Sequence, residues 1–335
     1  VTKGPDHIIL SRTDSIGDVM LTLPMAGLLK RGFPGVRITF IGRTYTKPVL
    51  LRCAHVDAIL TLEELEAGDA PAMLRGLKAD ALIHVFPRKE LAQWARSAGI
   101  PMRIGTSHRW WHWVTCTDRV AFSRKRSALH EAQLNLKLAA PLMPVPDIGL
   151  SELSALSGFS ALPMAERLCG WERPGTRTVI LHPGSKGSAV EWGLVNFAAL
   201  IRILNDGPFT VIVTGTEAEA AHYRRTLPLD GANTIDAGGA VDLTELIGLI
   251  GASDALVAAS TGPLHIAAAC GIRAIGVFSP RRPIHPGRWA PIGRDAHALV
   301  FDPQCTTCAA GKPCDCVQRI SPQRVAELLY ALPVH

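Results

Sequence analysis

His7–Pro24 reads HIILSRTDSIGDVMLTLP, and the succession of residue types within it decides the fold. The apolar run HIIL is short, as a buried strand is, and it ends in the polar stretch TDSIGD. Apolar residues then resume at helical spacing through VMLTLPMAGLLKRG, Val19–Gly32. Gly17 permits a tight turn between the two, and Asp18 falls at or beside the first helical residue, in the loop at the carboxyl end of the strand. Open α/β sheets bind their ligands there. A carboxylate in that loop can take a proton from an incoming hydroxyl, although a helix N-terminus favours its ionised, weakly basic form. Asp18 and Asp14 also suit the role of helix caps, and spacing alone leaves both readings open.

Outward from this stretch the same grammar repeats. VRITFIGR, VDAILTL and ADALIHVF read as further strands separated by helices, which indicates parallel pairing in a doubly wound sheet. Between Pro141 and Thr178 the pattern gives way to Pro, Ser and Gly, as in PLMPVPDIG and WERPGTR. It then restarts with strands TVILHPG, FTVIVTG, ALVAAS and AIGVFSP among helices NFAALIRILN, EAEAAHYRRTL, DLTELIGLIGA and PLHIAAACG. The expected organisation is two similar α/β domains, residues 1–160 and 161–320, facing a central cleft. The amphipathic helix in 321–335, opened by Ser-Pro, is expected to pack back on the first domain.

The 335 residues suffice for two ordinary domains. Apolar residues make up 47%, yet no uninterrupted apolar run nears the roughly 20 residues of a bilayer span. VTKGPDHIIL lacks the apolar core and cleavage site of a secretory signal, so a cytoplasmic location is expected. A net charge of +6 and a pI near 9.0 point to an anionic partner without choosing among nucleic acid, acidic lipid and phosphorylated glycan.

Three further segments can carry chemistry. LHPGSKGSAVEW, Leu181–Trp192, leads from a strand through a Gly- and Ser-rich loop with Ser185, Lys186 and Ser188, groups that suit a pyrophosphate; its spacing is not that of a Walker loop, and many such loops are plain connections. AASTGPLHIAAACG, Ala258–Gly271, ends a strand in Ser260-Thr261-Gly262 and opens a helix with Pro263, leaving N–H groups to face an anion. His265 sits one turn in, near that anion or simply packed. In VTGTEAE, Glu219 suits ribose hydroxyls or, equally, the first-turn dipole of a helix. Two anion-binding loops in one domain make that domain the expected donor site.

In order along nearly the whole chain, HIILSRTDSIGDVMLTLP, ADALIHVF, RIGTSHRW, LHPGS, VTGTEAE, STGPLH and SPQRVAELL resemble the bacterial lipopolysaccharide heptosyltransferases, glycosyltransferase family 9, most specifically in GDVMLTLP and TGPLHIAAA. The resemblance implies a GT-B fold of two Rossmann-like domains, acceptor on the first and nucleotide sugar on the second. It also implies metal-independent, inverting transfer of heptose from ADP-heptose to the inner core of lipopolysaccharide, with no cofactor required. On the same basis Asp18 matches the catalytic base, Ser185 and Lys186 the phosphate loop, Glu219 the ribose contact, and Ser260, Thr261, Gly262 and His265 the segment around the diphosphate and sugar. Two positions depart from the family pattern: Val190 stands where a lysine is common, and Ser260 where an Asp is usual. They keep open a different nucleotide sugar, or a binding protein without turnover.

RIGTSHRWWHWVTCTDRVAFSRKRSALH gathers Arg103, His108, Arg109, Arg119, Arg124, Lys125 and Arg126 around Trp110, Trp111 and Trp113. Cations suit phosphates and carboxylates, and indoles suit sugar faces or a membrane interface. Arg103, Arg109, Trp110, Arg124 and Lys125 are therefore expected to bind an acidic lipid-linked glycan acceptor, with transient contact to the inner face of the inner membrane; a solvated basic face with buried tryptophans is the alternative. No nucleic-acid motif accompanies these cations. Cys305, Cys308, Cys314 and Cys316 form C-x2-C-x5-C-x-C, open to structural zinc or to packed or reversibly oxidised thiols. Cys53, Cys116, Cys169 and Cys270 show no pairing pattern and are expected to be buried small residues.

Overall fold

The computed structural model describes residues 4–124 and 126–333, in two compact units, Val1–Ser160 and Ala161–His335. In the first unit the strands are β1 (His7–Ser11), β2 (Arg37–Gly42), β3 (Ala58–Thr61), β4 (Ala81–His84), β5 (Met102–Thr106) and β6 (Asp118–Val120). They form one parallel sheet in the order β3-β2-β1-β4-β5-β6. All of β1 is buried, as a central strand covered on both faces must be. The short β6 closes one edge, where few residues offer unpaired backbone groups to another chain.

The helical run expected after β1 is two helices, α1 (Ile16–Met20) and α2 (Leu23–Gly32). Pro24 lies in the first turn of α2, where a missing N–H forfeits no helical bond. At the break the Thr22 hydroxyl donates to the carbonyl of Asp18 at 2.8 Å. Farther on, α3 (Glu131–Leu136) packs against α2.

The second unit repeats the plan with β7 (Arg177–His182), β8 (Phe209–Val213), β9 (Thr234–Asp236), β10 (Ala255–Ala259), β11 (Arg273–Val277) and β12 (Ala296–Leu299), in the order β12-β11-β10-β7-β8-β9. Counted from its own first strand, each sheet has the 3-2-1-4-5-6 order of a dinucleotide-binding fold. The units share a clamp as well. Asp80, just before β4, accepts the N–H of His7 at 2.9 Å, and Asp254, just before β10, accepts that of Thr178 at 2.6 Å. Each carboxylate ties the amino ends of the two central strands together.

Helices α4 (Leu194–Asn205), α5 (Glu217–Tyr223), α6 (Leu243–Ala252), α7 (Gly262–Cys270) and α8 (Pro322–Tyr330) complete this unit. The terminal helix was expected on the first domain; instead α8 packs on α4, with Val325, Ala326 and Leu329 buried in one core with Phe197, Ile201 and Leu204. Among the described residues, no helix is long and apolar enough to cross a membrane.

Candidate active site

In the first unit the strand order reverses between β1 and β4, whose last residues, Ser11 and His84, are register partners. Ligands of open α/β sheets bind outside the carboxyl ends at such a reversal. The chain leaves β1 there through Arg12–Ser15 and enters α1 with Ser15 as its N-cap. The Asp18 N–H reaches Ser15 Oγ at 3.4 Å, and the Ser15 hydroxyl donates to Asp18 Oδ2 at 2.5 Å. Asp18 Oδ1 is ion-paired with Arg12 Nη2. The cap of α1 is thus Ser15 rather than Asp14 or Asp18, and Asp18, the third residue of the helix, keeps 16% of its side chain exposed.

Arg12 organises this corner. Its side chain is only 5% exposed, and it donates to Asp14 Oδ1 at 2.7 Å and Glu131 Oε1 at 3.3 Å besides pairing with Asp18. Burial opposes its charge, but Asp18, Asp14 and Glu131 together hold its pKa above the ordinary value. Burial, reinforced by the charge on Asp18, pushes the Asp14 carboxyl up to about 7 against the pull of Arg12. Arg124 pairs with the same Glu131, donates to Asn135 Oδ1 at 3.0 Å and reaches the Val85 carbonyl at 3.3 Å. Asn135 in turn donates to the Leu21 carbonyl at 2.9 Å. The network links the β1 loop, α3 and the end of β4.

The five residues expected to bind acceptor therefore part company. Arg109 and Trp110 stand exposed in the loop that leaves the carboxyl end of β5. Lys89 lies 5.2 Å over Trp110, and Arg119 4.6 Å over the exposed Trp113. Arg103, near the amino end of β5, donates to the carbonyls of Thr115 and Ile100 and so braces the strand away from the ligand edge. Arg124 is held in the Arg12 network. Lys125 lies outside the described residues.

In the second unit the reversal falls between β7 and β10, so the two loops expected to grip a diphosphate flank it. After β7, Lys186 takes φ 49° and Gly187 φ 76°, a left-handed pair that turns the Lys186 side chain outward, where it is exposed. Ser185 is buried, and its hydroxyl and N–H both donate to Glu191 Oε1, at 2.8 and 2.9 Å. After β10, Thr261 caps α7 by its backbone, and its Oγ1 is buried with no hydrogen-bond partner among the described residues. The N–H groups opening that helix have no intrahelical carbonyl to meet. Ser260 is half-buried beside it, and His265 is buried one turn in, its N–H 3.4 Å from the Thr261 carbonyl.

Glu219 closes the same edge from α5 in a capping box, its Oε2 accepting the N–H and hydroxyl of Thr216 at 2.8 Å each. A Cβ on Gly184 would lie 2.3 Å from Glu219 Oε1, so glycine there is what lets the carboxylate lie against the loop after β7. Burial opposes ionisation of Glu219, but Thr216, His182 and Lys186 hold its pKa below the ordinary value. His182, the last residue of β7, meets Thr214 Oγ1 at 3.0 Å.

Sequence reasoning missed Arg12, Glu131, Glu191 and His182. Arg12 stands in the His7–Pro24 stretch, five residues before the Gly17 turn, but its partner Glu131 is 119 residues away. Of the unclustered thiols, Cys53 and Cys116 are buried, Cys270 is half-buried, and Cys169, expected to be buried, is exposed, since the short helix Glu166–Trp171 buries its neighbour Leu168 instead.

A family model described as Glycosyltransferase family 9 (heptosyltransferase) matches residues 73–317. A Haemophilus influenzae protein provisionally named a glycosyltransferase is 27% identical over 320 residues, covering 89% of each chain. Among solved structures, a family 9 glycosyl transferase from Veillonella parvula superposes with TM-score 0.79 at 16% identity, over 97% of this chain and 96% of that one. The ADP-heptose lipopolysaccharide heptosyltransferase II of Escherichia coli gives TM-score 0.74 at 19% identity, over 97% and 98%.

Proposed function

The chain belongs to glycosyltransferase family 9, the heptosyltransferase family, and from that premise we propose that it moves heptose from ADP-heptose, with inversion and without a catalytic metal, to an acidic lipid-linked inner-core acceptor. It is a glycosyltransferase with two Rossmann-like units of GT-B type. The observation that carries the finer reading is the place of Asp18: a carboxylate paired with a buried cation at the carboxyl end of β1, where the sheet order reverses. Donor chemistry is supported by the two loops at the corresponding reversal of the second sheet, and by the buried Thr261 hydroxyl among their donors.

In this reading Arg12 fixes one oxygen of Asp18, and Oδ2 exchanges the Ser15 hydroxyl for that of the acceptor. Asp18 takes the proton as the acceptor oxygen attacks the anomeric carbon. The bond from that carbon to the diphosphate breaks on the opposite face, and ADP leaves. Lys186 and the N–H groups around Gly262 meet the charge that grows on the departing diphosphate, which is worth most when the donors are placed before the reaction. Glu219 holds ribose hydroxyls through Oε1. Arg109 and Trp110, with Lys89 nearby, receive the anionic acceptor at the inner face of the inner membrane.

A thermal-shift panel of nucleotides and nucleotide sugars tests the donor. Preferential stabilisation by ADP and ADP-heptose is expected, because a ligand bound only by the folded state raises its stability. Preference for uridine nucleotides would replace heptose with another sugar, a reading that Val190 and Ser260 keep open.

A further inference from the structure

Cys305, Cys308, Cys314 and Cys316, between β12 and α8, bring their sulfurs within 4.8 Å of one another. Cys314 Sγ lies 3.6 Å from Cys305 Sγ and 3.2 Å from Cys316 Sγ. Cys308 and Cys316 are buried, and the other two half-buried. None is in a disulfide. Thiols are weak hydrogen-bond donors and acceptors, so mutual attraction is a poor reason for four of them to converge. Four thiolates at about 2.3 Å from a tetrahedral ion lie roughly 3.8 Å from each other, inside the observed spread.

We propose that these four cysteines form a tetrathiolate site for one thiophilic transition-metal ion, zinc or ferrous iron, that organises the segment between β12 and α8. Binding releases the four S–H protons and makes four sulfur–metal bonds with no transfer of electrons. Four protein ligands complete a tetrahedron and leave no open position, so the ion is structural, outside the glycosyl transfer step. The fold shows what it secures. Cys308 Sγ lies 3.8 Å from the Ser279 hydroxyl just beyond β11. On the other side of the knot, Val317 and Ile320 enter the core of the second unit. Trp192, fully buried after the phosphate loop, donates its indole N–H to the Ile320 carbonyl at 2.8 Å, and Asn196 donates to that of Gln318 at 2.7 Å. The ion therefore braces the residues on which the base of the phosphate loop rests.

The test uses the full chain without a histidine tag, purified in reductant and without chelator. Elemental analysis should find one zinc or iron per chain and say which of the two it is. Cys308→Ser and Cys316→Ser should each abolish that content, and Cys169→Ser, outside the cluster, should leave it unchanged. Should the cluster variants fail to fold, the wild-type chain still decides. Chelation should lower its melting temperature, added zinc should restore it, and cobalt replacement should give the intense absorption of tetrahedral cobalt–thiolate. Metal-free protein that gives no cobalt–thiolate band after reduction overturns the proposal. So does peptide mapping that finds these cysteines joined as disulfides in freshly isolated protein.

Discussion

Glu191 Oε1 accepts both the backbone N–H and the hydroxyl of Ser185, at 2.9 and 2.8 Å, so the protein's own carboxylate occupies the donors of the loop after β7, the loop proposed above to bind the donor's diphosphate. An anion entering that loop meets a like charge and must displace it. Glu191→Gln keeps an acceptor oxygen for Ser185, and with it the loop's shape, while removing the charge. ADP should then bind several-fold more tightly by calorimetry, on the order of 1 kcal/mol for one partly exposed charge. Weaker binding would mean that the carboxylate builds the loop rather than guarding it.

Asp18→Asn should reduce transfer by about 10²–10⁴-fold, the usual contribution of a positioned base, with ADP affinity unchanged because the donor loops lie in the other unit. Full turnover in this variant would remove Asp18 from the mechanism. Arg12→Met asks a different question. It leaves Asp14, Asp18 and Glu131 facing one another without their buried cation, a change that typically costs about 3–5 kcal/mol. Denaturant melts should register that loss, which no exposed arginine of this chain would give.

How much of this was legible beforehand depended on where each residue's partner lies. The central strand β10 is apolar throughout and β1 has the apolar run Ile8–Leu10 at its centre, so composition alone marks them. The β5 strand, MRIGT, reads as part of a cationic segment, since Arg103 interrupts it and its burial comes from β4 alongside. The division of the first helical run at Leu21–Thr22 is announced by Pro24, which fits only the first turn of a new helix, and the Thr22 hydroxyl bonds back to the Asp18 carbonyl at the break. Asp18, Lys186 and Thr261 could be named because strand–loop–helix junctions mark ligand positions locally. Arg12 with Glu131 could not, because only the packing of α3 brings them together.

His84 supplies a pH dependence. Both of its ring nitrogens lack hydrogen-bond partners among the described residues, and its ring stacks 5.5 Å from that of His112. Burial, with smaller contributions from His112 and Arg103, lowers its pKa from the ordinary 6.5 to about 3. A base depressed in the folded state adds stability above its unfolded value, and that stability is lost as the pH falls from 6.5 towards 3. His84→Phe keeps an apolar ring but binds no proton. Its urea midpoint should therefore fall less steeply over this range than that of the wild type. Equal slopes would show that His84 is not the group being titrated.

Arg109 and Arg124 belong to one basic stretch of sequence, but they should respond oppositely to truncation. Arg109 is exposed, 5.5 Å over the face of Trp111, and it makes no ion pair among the described residues. Arg109→Ala, alone or with Trp110→Ala, should raise the acceptor KM and leave both the melting temperature and ADP binding near wild type, since isolated surface changes fall within about 0.5 kcal/mol. Arg124 is paired with Glu131, which is 1% exposed. Removing it strips a buried carboxylate of a cation paired with it, so Arg124→Ala should lower the melting temperature first. Its activity should recover on cooling if the acceptor surface is otherwise intact. A stable Arg124→Ala protein with a raised acceptor KM would instead place Arg124 on the acceptor, and a destabilised Arg109→Ala would show that the exposed loop helps to hold the first unit together.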